Sequence, residues 1–146
     1  MEDRTIDIIN DIAKGVDPKL KHNETVNQIE KVFRKYGFYT TREYPIFKIK
    51  DGKGRAGRID LVARKGKFRV AIEYDHHILI KWKSFVKILQ IKPDVAIAIS
   101  GLGYLKPNIE RANKYDKKFK ISLYIISLKE RGWKNLRLKN EVNLDE

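Results

Sequence analysis

The hydrophobic pattern of the chain changes period several times, and each change predicts a new element. Apolar residues within positions 3–14 predict a short amphipathic helix that is ended by Gly15. Helical spacing returns over 24–36 and predicts a second helix. Asn23 is placed to be its N-cap, and Gly37 stands where a glycine commonly ends a helix.

The middle of the chain then alternates with the period of strands. A glycine-rich basic segment, KDGKGRAG over 50–57, and a Lys65-Gly66 pair interrupt this pattern as turns. The turns separate three predicted strands, which form a meander: 38–49, 58–64 and 67–75.

The last part of the chain alternates helices with short apolar strands. Two helices and two strands are predicted there, in the order 78–89 (helix), 94–99 (strand), 107–119 (helix) and 121–127 (strand). The whole order, αβββαβαβ, predicts an α/β fold with a mixed sheet flanked by helices. We expect one domain over 1–146, with a core of about 22–127, an N-terminal helical extension over 1–21 and a C-terminal tail over 128–146.

The composition indicates a globular protein with a polyanionic partner. Hydrophobic residues make up 42% of the 146 residues, and the formal net charge is +13. Such an excess favours nucleic acid as the partner over an anionic membrane surface. The charged first residues do not resemble a secretion signal, and no apolar run is long enough for a membrane span, so we expect a cytoplasmic protein.

Several classes of chemistry are excluded by what the sequence lacks. Without cysteine there are no disulfides, thiolate metal sites or cysteine nucleophiles. The glycines of the 50–57 segment lack the GxxxxGK[ST] spacing of a phosphate-binding loop, and no HExxH motif is present. One Met, two Gln and abundant Lys and Ile point to a thermophilic source.

Two carboxylates stand out on the predicted hairpin. Asp60 lies in RIDLVA and Glu73 in RVAIEYD, on strands joined by the Lys65-Gly66 turn. Antiparallel pairing brings both to the far end of the hairpin, where they can share a face. In the first of these strands, alternation predicts that Ile59, Leu61 and Ala63 point one way while Asp60 and Val62 point the other.

Close carboxylates repel each other unless a cation lies between them. Mg²⁺ or Mn²⁺ would remove that cost and would orient water and phosphate for hydrolysis. Residues 48–69 contain nine Lys or Arg against two acids, a setting suited to a metal-dependent nuclease. The simpler alternative is that the two acids only pair with Arg58, Arg64 or Arg69 across the ladder.

The motifs GRIDLVA (57–63) and VAIEYD (70–75), followed by a helix and the strand VAIAI, resemble the PD-(D/E)XK nuclease superfamily. This group includes restriction enzymes and the archaeal Holliday-junction resolvases. The resemblance covers roughly 22–127 and includes the preceding KYGFYTTRE segment (35–43). It implies a restriction-endonuclease-like fold, with Asp60 and Glu73 as the metal-binding pair. It also implies that a glutamate of the first helix, best matched by Glu30, joins them.

One position departs from the family pattern. The usual lysine two residues after the glutamate is replaced by Asp75. Asp75 would be an added metal ligand, or Lys81 or Lys83 on the next helix would reach back, or the site would be inactive. The adjacent His76 and His77 are either a general base or metal ligand, or turn residues with no role.

We therefore expect a Mg²⁺- or Mn²⁺-dependent endonuclease that acts on DNA rather than RNA, as a possible homodimer. Two alternatives remain: an inactive nucleic-acid-binding module on the same fold, and a basic structural protein. The expected nucleic-acid contacts are the basic residues of the turn, its following strand and the next helix: Lys53, Arg55, Arg58, Lys83 and Lys87.

Overall fold

Every residue of the apolar segment Val95–Ser100 is buried, because this strand lies in the middle of a sheet covered on both faces. The computed structural model describes residues 2–46, 57–119, 121–136 and 142–143. Four helices lie within these ranges: α1 (Glu2–Gly15), α2 (His22–Lys35), α3 (Trp82–Gln90) and α4 (Leu105–Phe119). Seven strands accompany them: β1 (Tyr39–Ile46), β2 (Gly57–Lys65), β3 (Phe68–Asp75), β4 (Val95–Ser100), β5 (Ser122–Ser127), β6 (Gly132–Asn135) and β7 (Val142–Asn143).

The seven described strands form one sheet in the order β1-β2-β3-β4-β5-β6-β7. The β1-β2-β3 meander is antiparallel, β3, β4 and β5 run parallel, and β6 and β7 are antiparallel again. Helices α3 and α4 make the two crossovers between parallel strands. This confirms the predicted α/β class with a mixed sheet flanked by helices.

Two hydrophobic cores lie on opposite faces of the sheet. Helices α1 and α2 cover one face, where Ile9, Ile29 and Phe33 pack against Ile72 and Ile97. On the other face, α3 and α4 supply a second set of buried apolar residues: Phe85, Ile88, Leu89, Leu105 and Ala112. Since each helix has one apolar stripe, the sheet between them is buried on both faces.

The core is wider than the predicted 22–127. Ile8 and Ile12 of α1, and Val16 directly after this helix, are buried with Trp133 of β6, whose indole Nε1 donates to Asn10 Oδ1 at 2.9 Å. The expected N-terminal extension and C-terminal tail thus pack against each other and against the sheet. Both contribute apolar side chains that the central strands need as cover.

Three helix starts differ from the predictions, and one of them is that of α4, which begins at Leu105 rather than at 107. Helix α2 begins at His22, with Lys21 as its N-cap and no side-chain cap, so Asn23 is not the N-cap. Gly37 does end this helix, with a φ of 85° that favours glycine. Helix α3 begins at Trp82 rather than at 78, because the 76–81 segment first connects β3 to the helix.

The predicted alternation of β2 is wrong at one residue. Leu61 and Ala63 enter the core beneath α1 and α2, as predicted, but Ile59 lies with Val62 in the core beneath α3 and α4. The strand therefore reverses its facing at Asp60. Opposite this point in β1, between the pairs Arg42–Leu61 and Tyr44–Ile59, Glu43 has a φ of 50°. A non-glycine residue at such an angle marks local distortion of the strand pair.

No helix within the described ranges has the length and apolar character needed to cross a membrane.

Candidate active site where strands β2 and β3 part

The ladder between β2 and β3 runs from Lys65–Phe68 to Leu61–Ile72 and stops there. Beyond it, side chains replace backbone partners. The backbone N–H of Asp60 donates to Glu73 Oε2 at 2.6 Å, and the N–H of Tyr74 donates to Asp60 Oδ2 at 2.9 Å. The two carboxylates thus fill the gap between the strands, so the sequence prediction that they meet at this end of the hairpin agrees with the geometry.

Glu73 is a buried carboxyl group whose pKa is raised. Its side chain is only 3% exposed, and it lies on the α3 face of β3. Burial, and next the negative charge of Asp60, raise the pKa of Glu73 to about 8, against the opposing effect of Lys87. A carboxyl group in this position accepts a proton readily near neutral pH unless more positive charge is supplied beside it.

The cation that meets Glu73 is Lys87 of α3. Its ammonium Nζ lies 2.7 Å from Glu73 Oε1 and donates to the carbonyl oxygen of Arg58 at 2.9 Å. Because 15% of the Lys87 side chain is exposed, its charge is largely withdrawn from water. The lysine expected to reach back from this helix was Lys81 or Lys83. The residue whose ammonium contacts Glu73 is Lys87, which the sequence suggested only as a nucleic-acid contact.

A second positive group approaches from the other face of the sheet. His22, the first residue of α2, places its Nε2 3.0 Å from the carbonyl oxygen of Tyr74 and 3.5 Å from Asp60 Oδ2. The Asp60 carboxylate raises the pKa of this imidazole to about 9. The ring is therefore protonated at neutral pH, and it faces two oxygens that converge on one point.

The side chain of Asp75 accepts hydrogen bonds at the start of α3. It is buried, and its Oδ2 accepts hydrogen bonds from the backbone N–H of Lys81 at 2.9 Å and the hydroxyl of Ser84 at 2.7 Å. These contacts tie the end of β3 to the first turn of α3, where unpaired N–H groups need an acceptor. They also fix the helix that carries Lys87.

Glu30 lies in a separate polar network between α2 and β1. Its Oε2 accepts from the Thr40 hydroxyl at 2.6 Å and from Arg34 at 3.2 Å, and its Oε1 is 3.6 Å from Arg42 NH1. Each oxygen already has a partner in this network. The structure does not bring Glu30 into contact with Asp60 or Glu73.

Three other predicted site residues are exposed, and two fall outside the described residues. Arg58, Lys81 and Lys83 are exposed, and Lys83 is one turn before Lys87 on the same face of α3. Lys53 and Arg55 fall in 47–56, outside the described residues.

The two histidines that follow Asp75 show no contact with the acidic pair. His76 Nδ1 is hydrogen-bonded to the Tyr74 hydroxyl at 2.9 Å, and the carbonyl of exposed His77 accepts from Ser100 Oγ at 2.8 Å. These contacts support the connection between β3 and α3.

The sequence did not predict that His22 lies beside Asp60 or that Lys87 contacts Glu73. A signal for Lys87 was present, because it follows Lys83 by four residues on one helix face, and a site lysine on that face was expected. No signal marked His22, since its approach to Asp60 depends on how α2 packs across the sheet. The predicted pairing of Arg58, Arg64 or Arg69 with the acids is not seen among the described ion pairs. Arg69, for example, donates to the carbonyl oxygen of Ile91 at 2.7 Å.

The donor set suits a hard divalent cation held by few protein ligands. Among the residues that the structure describes, no three His, Asp or Glu side chains form a cluster able to cage a metal. Mg²⁺ does not need one, since it keeps several waters and takes one or two carboxylates. Asp60, Glu73 and the carbonyl oxygen of Tyr74 offer oxygens of this kind, and burial, followed by the charge of Asp60, raises the pKa of Glu73.

Comparisons with known proteins identify no family. No family model matches the chain, and no curated protein matches it. Among solved structures, the chain is similar to the crystal structure of a protein of unknown function, AF1548, with 15% sequence identity and a TM-score of 0.45. That match covers 69% of this chain and 56% of the other chain. These comparisons therefore indicate no function for the chain.

Proposed function

We propose that the protein is a metal-dependent nuclease that hydrolyses phosphodiester bonds in DNA with Mg²⁺ or Mn²⁺, as the resemblance to PD-(D/E)XK enzymes implies. The observation that supports it most directly is the arrangement of Glu73, Asp60 and Lys87. A buried glutamate and an aspartate occupy a break in the sheet, and a largely buried lysine lies 2.7 Å from the glutamate. A fold gains little stability from such a group of charges, so a catalytic role explains it better.

In this proposal, Asp60, Glu73 and the Tyr74 carbonyl hold the metal. When bound, the ion supplies a water of lowered pKa and stabilises charge on the phosphate. Lys87 takes the part of the lysine that Asp75 replaces in the sequence: its ammonium is held beside Glu73, where it orients the attacking water and faces the phosphate. The water oxygen would become bonded to phosphorus as one P–O ester bond breaks, and the leaving sugar oxygen would take up a proton in exchange for the one that the water loses.

His22 controls access to this place from the α2 side. Its protonated ring lies beside the same oxygens of Asp60 and Tyr74 that would hold the metal. Metal entry therefore requires the ring to release its proton or to turn away, because two cations at this distance repel each other. Asp75 is a positioning residue in this scheme, since it anchors the first turn of the helix that bears Lys87.

The surrounding charge fits a DNA substrate. The chain has a net charge of +13, and Arg58 of β2, Lys81 at the N-cap of α3 and Lys83 of α3 are exposed. Phosphates of a bound strand would meet these side chains while the scissile phosphate approaches Asp60 and Glu73.

The test is a cleavage assay with supercoiled, single-stranded and branched DNA in Mg²⁺ or Mn²⁺, with EDTA as the metal-free control. We expect metal-dependent cleavage that Asp60→Asn abolishes, while DNA binding by this variant stays equal or becomes tighter as negative charge is removed. Glu30→Gln is the matched acidic control, since Glu30 belongs to a separate network. Cleavage that survives Asp60→Asn would refute the assignment.

An inactive DNA-binding module on the same fold is the second candidate. It is favoured by the contacts that already satisfy Glu73, namely the Asp60 N–H and the Lys87 ammonium. Binding of DNA without cleavage of any of these substrates, with no calorimetric signal for Mg²⁺ or Mn²⁺, would select this candidate.

A further inference from the structure

An open cleft of about 860 Å³ lies beside the C-terminal end of α1 and the loops that follow β3, β4 and β5. We call it the edge cleft. Its lining includes basic residues and apolar residues: Lys14, Lys19, Lys129 and Arg131, with Ile78, Leu102 and Leu128. These loops leave the carboxyl ends of the parallel strands, which is where open α/β sheets commonly bind ligands.

The charge of the edge cleft is strongly one-sided. Four basic residues line it, against the single acidic residue Asp17, whose Oδ1 accepts the backbone N–H of Lys19 at 2.9 Å. The Arg131 guanidinium donates to the carbonyl of Lys14, a neutral acceptor that leaves the positive charge in place. The cleft therefore attracts a polyanion.

Apolar side chains are exposed at the same place. Ile78 is 64% exposed and Leu102 is 41% exposed. Tyr104, which is 55% exposed, lies outside the cleft lining but contacts it through Lys129, whose ammonium lies 4.7 Å from the centroid of the Tyr104 ring. Exposed apolar and aromatic surface interleaved with cations is what unpaired nucleotides recognise, since bases stack on the former and phosphates bind the latter.

The wall of the edge cleft packs against Tyr74, a buried residue that also contacts Asp60. Gly101 lines the cleft, and a Cβ at this position would lie 2.2 Å from the Tyr74 hydroxyl oxygen, so the cleft wall packs against the Tyr74 ring. The backbone N–H of Tyr74 holds Asp60 Oδ2 at 2.9 Å. One residue therefore separates the cleft from the proposed metal-binding carboxylates.

We infer that the edge cleft binds unpaired nucleotides, and that the substrate is a single strand or the frayed arm of a branched DNA. The inference rests on the proposed nuclease function, which it refines by naming the substrate class. A duplex presents phosphates and sugars outward and keeps its bases stacked inside, so exposed Leu102 and Tyr104 would gain nothing from it. A single strand uses both the cations and the apolar surface.

The test measures binding in EDTA, so it does not depend on cleavage. Fluorescence anisotropy compares a labelled single-stranded oligonucleotide with a duplex of the same length. We expect the single strand to bind about tenfold more tightly. Arg131→Gly should weaken this binding about threefold to tenfold and reduce its salt dependence, and Tyr104→Leu should weaken it about fivefold or more.

Lys92→Gly is the matched control for Arg131→Gly. Both residues are exposed and have left-handed backbone, with φ of 52° and 56°, so glycine relieves strain at each while one positive charge is lost. Lys92 lies before β4, at the amino ends of the parallel strands, whereas the edge cleft lies at their carboxyl ends. Thermal unfolding of all three variants shows whether they remain folded.

Equal effects of Arg131→Gly and Lys92→Gly, or equal affinity for single strand and duplex, would overturn the inference. The inference would also be overturned if the protein bound anionic lipid vesicles in a way that depends on Arg131 but did not bind the oligonucleotide. Oligonucleotide binding by the Asp60→Asn variant is also measured in EDTA. Because no cleavage is needed for this measurement, the binding result holds even if the proposed catalysis fails. The proposed nuclease function and the proposed binding of single strands can therefore be refuted separately.

Discussion

Lys87 on α3 and Glu73 on β3 form an ion pair with 2.7 Å between Nζ and Oε1, although the two residues come from different elements. Only 3% of the Glu73 side chain and 15% of the Lys87 side chain are exposed. A lysine in this position supplies from a helix the positive charge that Asp75 does not provide from the strand. The proposed chemistry depends on this relationship.

Lys87→Met should lower the cleavage rate by about a hundredfold or more, because the group that stabilises charge at the phosphate is lost. Stability should fall by about 1–3 kcal/mol, since the buried Glu73 carboxyl group loses a hydrogen-bond partner. Single-turnover cleavage and urea unfolding measure the two effects. Lys83→Met, one turn away and exposed, should affect DNA affinity more than the rate.

The double variant Lys87→Met with Glu73→Gln separates the two roles of the pair. It contains no buried charge at this point, so its stability should recover toward that of the unaltered protein while cleavage stays absent. Recovery of activity in the double variant would show that Lys87 acts only to neutralise Glu73.

Asp75→Asn should leave cleavage and metal affinity nearly unchanged, because an amide oxygen can still accept from the Lys81 N–H and the Ser84 hydroxyl. Asp75→Ala should cost about 1–2 kcal/mol, as expected when the acceptor at a helix start is lost. Urea unfolding and metal titration by calorimetry measure these effects. A large loss of metal affinity in Asp75→Asn would instead make Asp75 a metal ligand.

Metal-free stability should fall as the pH rises from about 5 to 9. Burial raises the pKa of Glu73 from 4.5 to about 8, and Asp60 raises that of His22 from 6.5 to about 9. In both intervals the folded protein keeps a proton that the unfolded chain has released, so stability present at low pH is lost toward the folded pKa. For Glu73 the slope should reach at most about 1.4 kcal/mol per pH unit.

Urea unfolding in EDTA over this pH range measures the effect. Glu73→Gln should flatten the curve between pH 4.5 and 6.5, where Glu73 alone of the two groups changes its proton between folded and unfolded chains. Saturating Mg²⁺ should restore stability most at high pH, because it binds the deprotonated carboxylate. A metal-free stability that rises with pH over this interval would contradict the assignment of the buried charge.

Hydrophobic periodicity and turn residues were sufficient to predict the α/β order, the meander and the encounter of Asp60 with Glu73. A hairpin with a tight turn has a fixed register, and the observed turn at Gly66-Lys67, one residue after the predicted Lys65-Gly66, pairs Lys65 with Phe68 and brings Asp60 opposite Glu73. Counting residues along the strand was wrong for the facing of Ile59, since it assumes that a strand keeps its alternation, and β2 reverses at Asp60 opposite Glu43.

The sequence by itself determined the class of fold, the acidic pair and the basic character of the chain, because these follow from local spacing and composition. Only the tertiary structure decided which cations meet the acids. Lys87 and His22 reach them across the two faces of the sheet, through the packing of α3 and α2. It also placed Glu30 in another network and gave Asp75 to the start of α3, since long-range packing, not spacing, sets which polar groups lose water and need a partner.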